Sequence, residues 1–247
     1  MFAKWTLSLW ILVMVMPLTA KPERKEVDGI TYHLLRVPAA SVRVIWKDNA
    51  GKPLRTFPAT TKFLESKGED VQVLMNGGIF EPGGIPSGLL VQDGSTLHPV
   101  NRRPGKGNFY LMPNGIFQIT AKGASVIRTD EYPLGNAAVT YAVQSGPLLL
   151  RKGKVHPAFN APSTSRLHRN GVGVARNGDV VFAMTDFHSA KFPNLFEFAG
   201  LFRQLGCDDA LFLDGDISQM RWGDGLKKPG NRFGSFIAVV GEATPDE

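Results

Sequence analysis

Leu211-Phe212-Leu213-Asp214-Gly215-Asp216-Ile217-Ser218-Gln219-Met220 runs from an unbroken apolar stretch straight into two carboxylates. Ala210–Leu213 has no polar break, which is the pattern of a strand buried on both faces rather than a half-exposed one. A carboxylate at the exit of such a strand is costly unless it is paired, and Gly215 lets the backbone turn beside it. Two readings stand for this segment alone. Asp214 closes a local turn, as Asp and Ser commonly do, or it belongs to a catalytic loop.

An internal comparison extends the pattern. Lys67–Gly78, KGEDVQVLMNGG, aligns without a gap on Leu205–Asp216, LGCDDALFLDGD, setting Asn76 on Asp214 and Gly77 on Gly215. A helix-like segment precedes each copy: Pro58 to Lys67, stopped by Gly68, and Pro193–Leu205, stopped by Gly206. A strand–turn–strand pattern precedes each helix, turning at Asn49–Gly51 and at Asn177-Gly178. The order strand, turn, strand, helix, strand, (Asn/Asp)-Gly therefore occurs twice, and the chain reads as two related halves. Equivalent strands would then deliver Asn76 and Asp214 to one cleft.

Elsewhere the punctuation is that of hairpins. Asp93-Gly94, Asn114-Gly115, Lys152-Gly153 and Asn177-Gly178 each separate short β-prone runs. Ser235–Val240 reads as a last strand, and the residues after Gly241 as a loose tail. The expected fold is a single α+β domain over residues 21–247, a strand-rich mixed sheet with helices packed on it.

Composition sets outer limits. The 247 residues are 43% hydrophobic and 20% charged, enough to bury a full core. The formal charge of +6 suits an anionic ligand, but the basic residues form no tail and do not interleave with aromatics, so nucleic acid is not an expected partner. Lys4, the apolar run Trp5–Met16, and Pro17–Ala20 before a charged stretch have the layout of a secretory leader over residues 1–20. Export to the periplasm or medium is expected, with no stable membrane span once the leader is removed. Cys207 is the sole cysteine, which rules out an intrachain disulfide and leaves stability to packing.

Four blocks occur in order: Asn76-Gly77-Gly78-Ile79-Phe80, Val143-Gln144-Ser145-Gly146-Pro147-Leu148, Arg169-Asn170-Gly171-Val172-Gly173, and Leu213-Asp214-Gly215-Asp216-Ile217-Ser218. Together they resemble the signature blocks of the phosphodiester glycosidase family, whose type member removes N-acetylglucosamine from a sugar phosphodiester. The resemblance runs from about Tyr32 to Val240. It departs where Asp216 and Ile217 stand for two glycines and Gln219 for a serine, and where Asn170-Gly171 follows Arg169.

The resemblance implies hydrolysis of a bond between an anomeric carbon and a phosphate oxygen in a phosphate-bearing glycan. A phosphate leaves more readily than a sugar alkoxide, so a carboxylate that stabilises the anomeric carbon or activates water matters most. Asp214 is the first candidate, Glu81 the second and Asp216 the third. Arg169 suits the phosphate, because a guanidinium matches phosphate oxygens bidentately. Asn76, Gln144, Ser145 and Ser218 suit sugar contacts, and Gly77, Gly78 and Gly146 allow close backbone approach. Neither serine sits in a Gly-x-Ser-x-Gly elbow, so a serine nucleophile is not expected. No cofactor motif is present. Asp214-x-Asp216 offers oxygen ligands to a divalent cation, but no further ligand cluster accompanies it. The rival reading is a non-catalytic glycan-binding or envelope-assembly protein of the same fold.

Overall fold

The computed structural model describes residues 20–133 and 138–241. The leader expected over residues 1–20 falls, apart from Ala20, outside the described residues, as does the tail after Gly241.

Two sheets form the body of the domain. One has seven strands in the spatial order Glu23–Val27, Ile30–Val37, Val180–Thr185, Asn170–Ala175, Cys207–Asp214, Leu148–Arg151, Lys154–Val155. The other has four: Met220–Trp222, Asp70–Asn76, Phe236–Gly241, Val42–Ile45. A five-stranded sheet, Gly123–Arg128, Gly115–Thr120, Val139–Ser145, Leu90–Gln92, Ser95–His98, closes one side. The main core lies among the three sheets and holds Val44, Val73, Met75, Phe117, Val143, Val172, Phe182, Leu211, Leu213 and Ile237.

Each large sheet carries one helix on its outer face. Helix α1, Phe57–Glu65, packs Phe57, Phe63 and Leu64 against Leu74, Phe236 and Ala238 of the four-stranded sheet. Helix α2, Leu195–Gln204, packs Phe198, Leu201 and Phe202 against Ala183, Ala210 and Phe212 of the seven-stranded sheet. The layers run helix, sheet, sheet, helix. Thr56 caps α1 by accepting from the Ala59 N–H, and Asn194 with Glu197 forms a reciprocal capping box on α2. Gly68 and Gly206 follow the two helices at φ of +79° and +81°, the left-handed turn-out that glycine adopts without a Cβ penalty. Both helices and their stops fall where the sequence places them, to within two residues at each end.

The expected mixed sheet is corrected: every strand pair among the described residues is antiparallel. The reason lies in the crossovers. Helix α2 links Val180–Thr185 to Cys207–Asp214, which run parallel to each other, but Asn170–Ala175 lies between them and pairs antiparallel with both. Helix α1 likewise links Val42–Ile45 to Asp70–Asn76 across Phe236–Gly241. The two units thus share a local form, a strand–helix–strand crossover over an antiparallel middle strand. The middle strands come from different places in the chain, one just before its unit and one at the C-terminal end. The expected duplication is therefore not confirmed. The first unit also lacks a return strand: after the turn at Asp48–Gly51, pairing shrinks to the single bridge Lys47–Pro53.

Three of the four expected hairpins form, between Leu90–Gln92 and Ser95–His98, Leu148–Arg151 and Lys154–Val155, and Asn170–Ala175 and Val180–Thr185. Asn114-Gly115 makes none. Asn114 is buried with its Nδ2 donating to Phe109 O, and Asn108–Tyr110 before it is a short 3-10 turn rather than a strand.

Candidate active site

Asn76 ends its strand in the four-stranded sheet and Asp214 ends its strand in the seven-stranded sheet. Their side chains meet across the seam between the sheets. Asn76 Nδ2 donates to Asp214 Oδ2 at 2.9 Å, joining residues 138 apart in sequence. The other carboxylate oxygen, Oδ1, accepts the Gly215 N–H at 2.8 Å. Asn76 is itself held from three directions. Its Oδ1 accepts the Gln219 N–H at 2.9 Å, its N–H donates to Gln219 O at 3.2 Å, and its carbonyl accepts from Asn170 Nδ2 at 3.0 Å. Asn170 lies opposite Asp214 on the neighbouring strand and is fully buried, and its Oδ1 has no hydrogen-bond partner among the described residues.

Burial is the main force on the Asp214 carboxyl. It pushes the pKa up from 3.8 to about 6, against the Gly215 and Asn76 hydrogen bonds that favour the charged form; the Asp216 charge adds to the rise. A carboxyl group that titrates just below neutrality, with each oxygen fixed by one donor and lone pairs to spare, is suited to general acid–base work.

Glycines bring the loops this close. A Cβ on Gly77 would lie 2.4 Å from Ser235 Oγ, and one on Gly78 would lie 2.8 Å from Gln144 O. Ser145 ties both loops together: its Oγ donates to Leu213 O at 2.8 Å and accepts the Ile79 N–H at 3.3 Å. Gly146 packs equally tightly, with a Cβ there 2.6 Å from Asn114 Cβ.

The structure assigns different surroundings to the other sequence candidates. Gln144 is buried, and its amide is taken up by the Leu89 and Asn101 N–H groups, Asn101 O and Thr129 Oγ1, so it organises the loop after Ser87. Ser145 is likewise buried and engaged with backbone. Ser218 is fully buried, and its hydroxyl has no hydrogen-bond partner among the described residues. Glu81 stands in the small hairpin Phe80–Glu81/Ile85–Pro86, where it is exposed and accepts from Ser87 Oγ at 2.9 Å. Asp216 is exposed one residue beyond Gly215, and no bond joins it to the pair. Among the described residues no three His, Cys, Asp or Glu side chains come together as a metal site.

Arg169 is not brought to the pair. Neighbouring residues on a strand point to opposite faces. Asn170 and Val172 face the core between the sheets, whereas Arg169 shares its face with Gly171 and Gly173, which abut Phe198 and Phe202 of α2.

Sequence reasoning passed over Asn170 and the backbone of Gln219, although both stood inside quoted motifs. It also passed over a pocket of about 260 Å³ lined by Gln219, whose backbone holds Asn76, together with Arg221, His33, Asp186 and His188. Asp186 there accepts from Arg24 Nε at 2.7 Å and lies 3.5 Å from His33 Nε2. Burial holds the His33 pKa below its ordinary value, only partly opposed by the Asp186 charge.

Known proteins resemble this chain in sequence and in fold. The chain is 32% identical over 180 residues to the uncharacterized protein YigE of Escherichia coli (strain K12), covering 72% of this chain and 68% of that one. The catalytic domain of zebrafish N-acetylglucosamine-1-phosphodiester alpha-N-acetylglucosaminidase, auto-inhibited by its pro-peptide, superposes with a TM-score of 0.63 at 17% identity, covering 89% of this chain and 81% of that one. A Burkholderia pseudomallei K96243 protein superposes with a TM-score of 0.56 at 12% identity, covering 85% and 74%. At those identities the two solved structures share the fold. The family model for phosphodiester glycosidase matches residues 69–240, and the chain belongs to that family.

Proposed function

We propose that this protein is an exported hydrolase that releases a sugar from a phosphodiester-linked glycoside, with Asp214 as its essential carboxylate. The observation that carries the reading is the Asn76–Asp214 pair at the seam of the two sheets, with a carboxyl pKa of about 6. The family supplies the substrate class, a glycan bearing phosphate. The zebrafish enzyme of the same fold is named for cleaving a sugar from a phosphodiester.

In this reading Asp214, ionised above pH 6, faces the anomeric carbon. It either stabilises the positive charge that grows there or takes a proton from the attacking water. The leaving phosphate needs little protonation. Asn76 and the Gly215 N–H fix the carboxylate's orientation, as preorganised donors should. Arg221, which lines the pocket beside Gln219, lies over Phe57 on the α1 side and would have to swing round from that ring to meet the phosphate. Glu81 and Asp216 are the reserve carboxylates. Export rests on the leader-like N-terminus, and the Burkholderia protein of the same fold bears the name of an exported protein. Among the described residues no helix is long and apolar enough to cross a membrane.

The test is incubation with a glycosyl phosphodiester such as UDP-N-acetylglucosamine, and in parallel with the matching neutral glycoside, following free sugar. Release from the phosphodiester in preference to the neutral glycoside is expected. Binding of phosphoglycans without release from any of a broad panel would instead identify a glycan-binding protein.

A further inference from the structure

Arg169 stands out on the α2 side of the seven-stranded sheet. It is among the largest fully buried side chains in the domain, 1% exposed, yet no carboxylate lies within ion-pair distance of it among the described residues. Its Nε donates to Pro193 O at 3.0 Å and its Nη2 to Ser165 O at 2.9 Å, and its Cζ lies over the Phe212 ring, 5.8 Å from the centroid. These partners are neutral. Glu197, in the first turn of α2, is held by Arg166 and Lys191 and by the α2 capping box, and Asp216 acts on Arg169 only through its charge, with no bond or ion pair between them. Burial draws the guanidinium pKa down from 12.5 to about 10, with the Asp216 charge opposing it only in part. A buried cation left without a counter-charge is expensive, and neutral carbonyls and a ring face offset only part of that cost.

The side chain also has somewhere to direct its charge. Nη1 has no protein partner among the described residues, and Arg169 lines a pocket of about 120 Å³ with Phe159, Asn160, Ser163, Ser165 and Phe196. That volume is well below the roughly 300–1,000 Å³ of pockets that enclose a whole small molecule. It suits one group at the end of a ligand. A guanidinium at the wall, with hydroxyl and amide side chains around it and aromatic sides, is the chemistry that recognises a compact oxyanion.

We propose that the Arg169 pocket is a second recognition site, on the opposite face of the sheet from Asn76 and Asp214, that takes the phosphate or carboxylate end of a ligand. The oxyanion supplies the bonded counter-charge that Arg169 lacks among the described residues. The site stands apart from the hydrolytic reading, since neither Asn76 nor Asp214 takes part in it.

Titration calorimetry of the full chain at fixed ionic strength tests this, with inorganic phosphate and glycerol 3-phosphate in one arm and acetate and glucuronate in the other. Saturable binding is expected in at least one arm, and which arm binds identifies the oxyanion. Arg169→Gln should weaken it about tenfold or more, the loss expected for a hydrogen bond to a charged group. Ser165→Asp provides a second handle should Arg169→Gln not fold. It places a carboxylate beside the guanidinium and should abolish binding while keeping the protein folded. Asp214→Asn should leave the affinity unchanged. The proposal is overturned if no arm binds, if Arg169→Gln and Ser165→Asp bind as wild type does, or if Asp214→Asn abolishes binding. Each of those results is separable from the outcome of the sugar-release assay.

Discussion

At the scale of single residues, the raised carboxyl of Asp214 makes two predictions of opposite sense. If the ionised form is the active one, kcat/KM should fall as pH drops through about 6. Asn76→Ala removes the donor to Oδ2 and should move that limb upward by about one pH unit, the size of one hydrogen bond to a charged group. A pH–rate profile of the variant checks this, and an unmoved limb would sever Asn76 from the titrating group. Stability runs the other way. Because the folded-state pKa lies above the ordinary 3.8, Asp214 favours folding fully below pH 4, and that contribution is lost as pH rises through about 6. Asp214→Asn should therefore raise Tm at pH 8, by about 2–4 °C if the relief is near 1 kcal/mol, and the gain should vanish at pH 4. Thermal melts at the two pH values decide it. The convergence of Asn76 and Asp214 was visible in the sequence because both end an apolar strand before glycine. Gln144 and Ser145 show the opposite limit: residue type does not disclose that their side-chain polar atoms are already bonded inside the fold.

Secondary elements were legible where local chemistry dictates them. The capped helices, their glycine stops and three glycine-bearing hairpins follow from the chain's own neighbours. Asn114-Gly115 carries the same letters, but tertiary packing of Asn114 on Phe109 O and of Gly115 against Leu148 overrides the turn. The loop Asn76–Phe80 shows why its glycines are there. Gly78→Ala would set a Cβ 2.8 Å from the Gln144 carbonyl and 3.1 Å from Val143 and Ser145, none of which is a flexible side-chain tip. We expect it to cost about 1–3 kcal/mol, as overpacking does, measured by urea unfolding. It should also lower sugar release, because the displaced loop carries Asn76. Gly200→Ala, inside helix α2 with open space around it and no positive φ, should leave sugar release unchanged.

The whole molecule was the least legible level. Which strand lies beside which depends on pairings hundreds of atoms apart along the chain, and neither periodicity nor turn signals encode them. The middle strand of the first crossover comes from the C-terminal end, so two stretches that look alike in sequence are built into different sheets. What the architecture achieves is nonetheless simple. Two helix-backed sheets face each other, and the last residue of a central strand in each meets its counterpart at the edge of the shared core. The measurement that bears most directly on this account is the rate of free-sugar release from a glycosyl phosphodiester by wild type and by Asp214→Asn, from pH 4.5 to 8.5. The account predicts release by wild type with an acidic limb near pH 6, and a folded Asp214→Asn protein slower by about 100-fold or more with that limb gone. Equal rates in the two proteins, or the same limb in both, would contradict it.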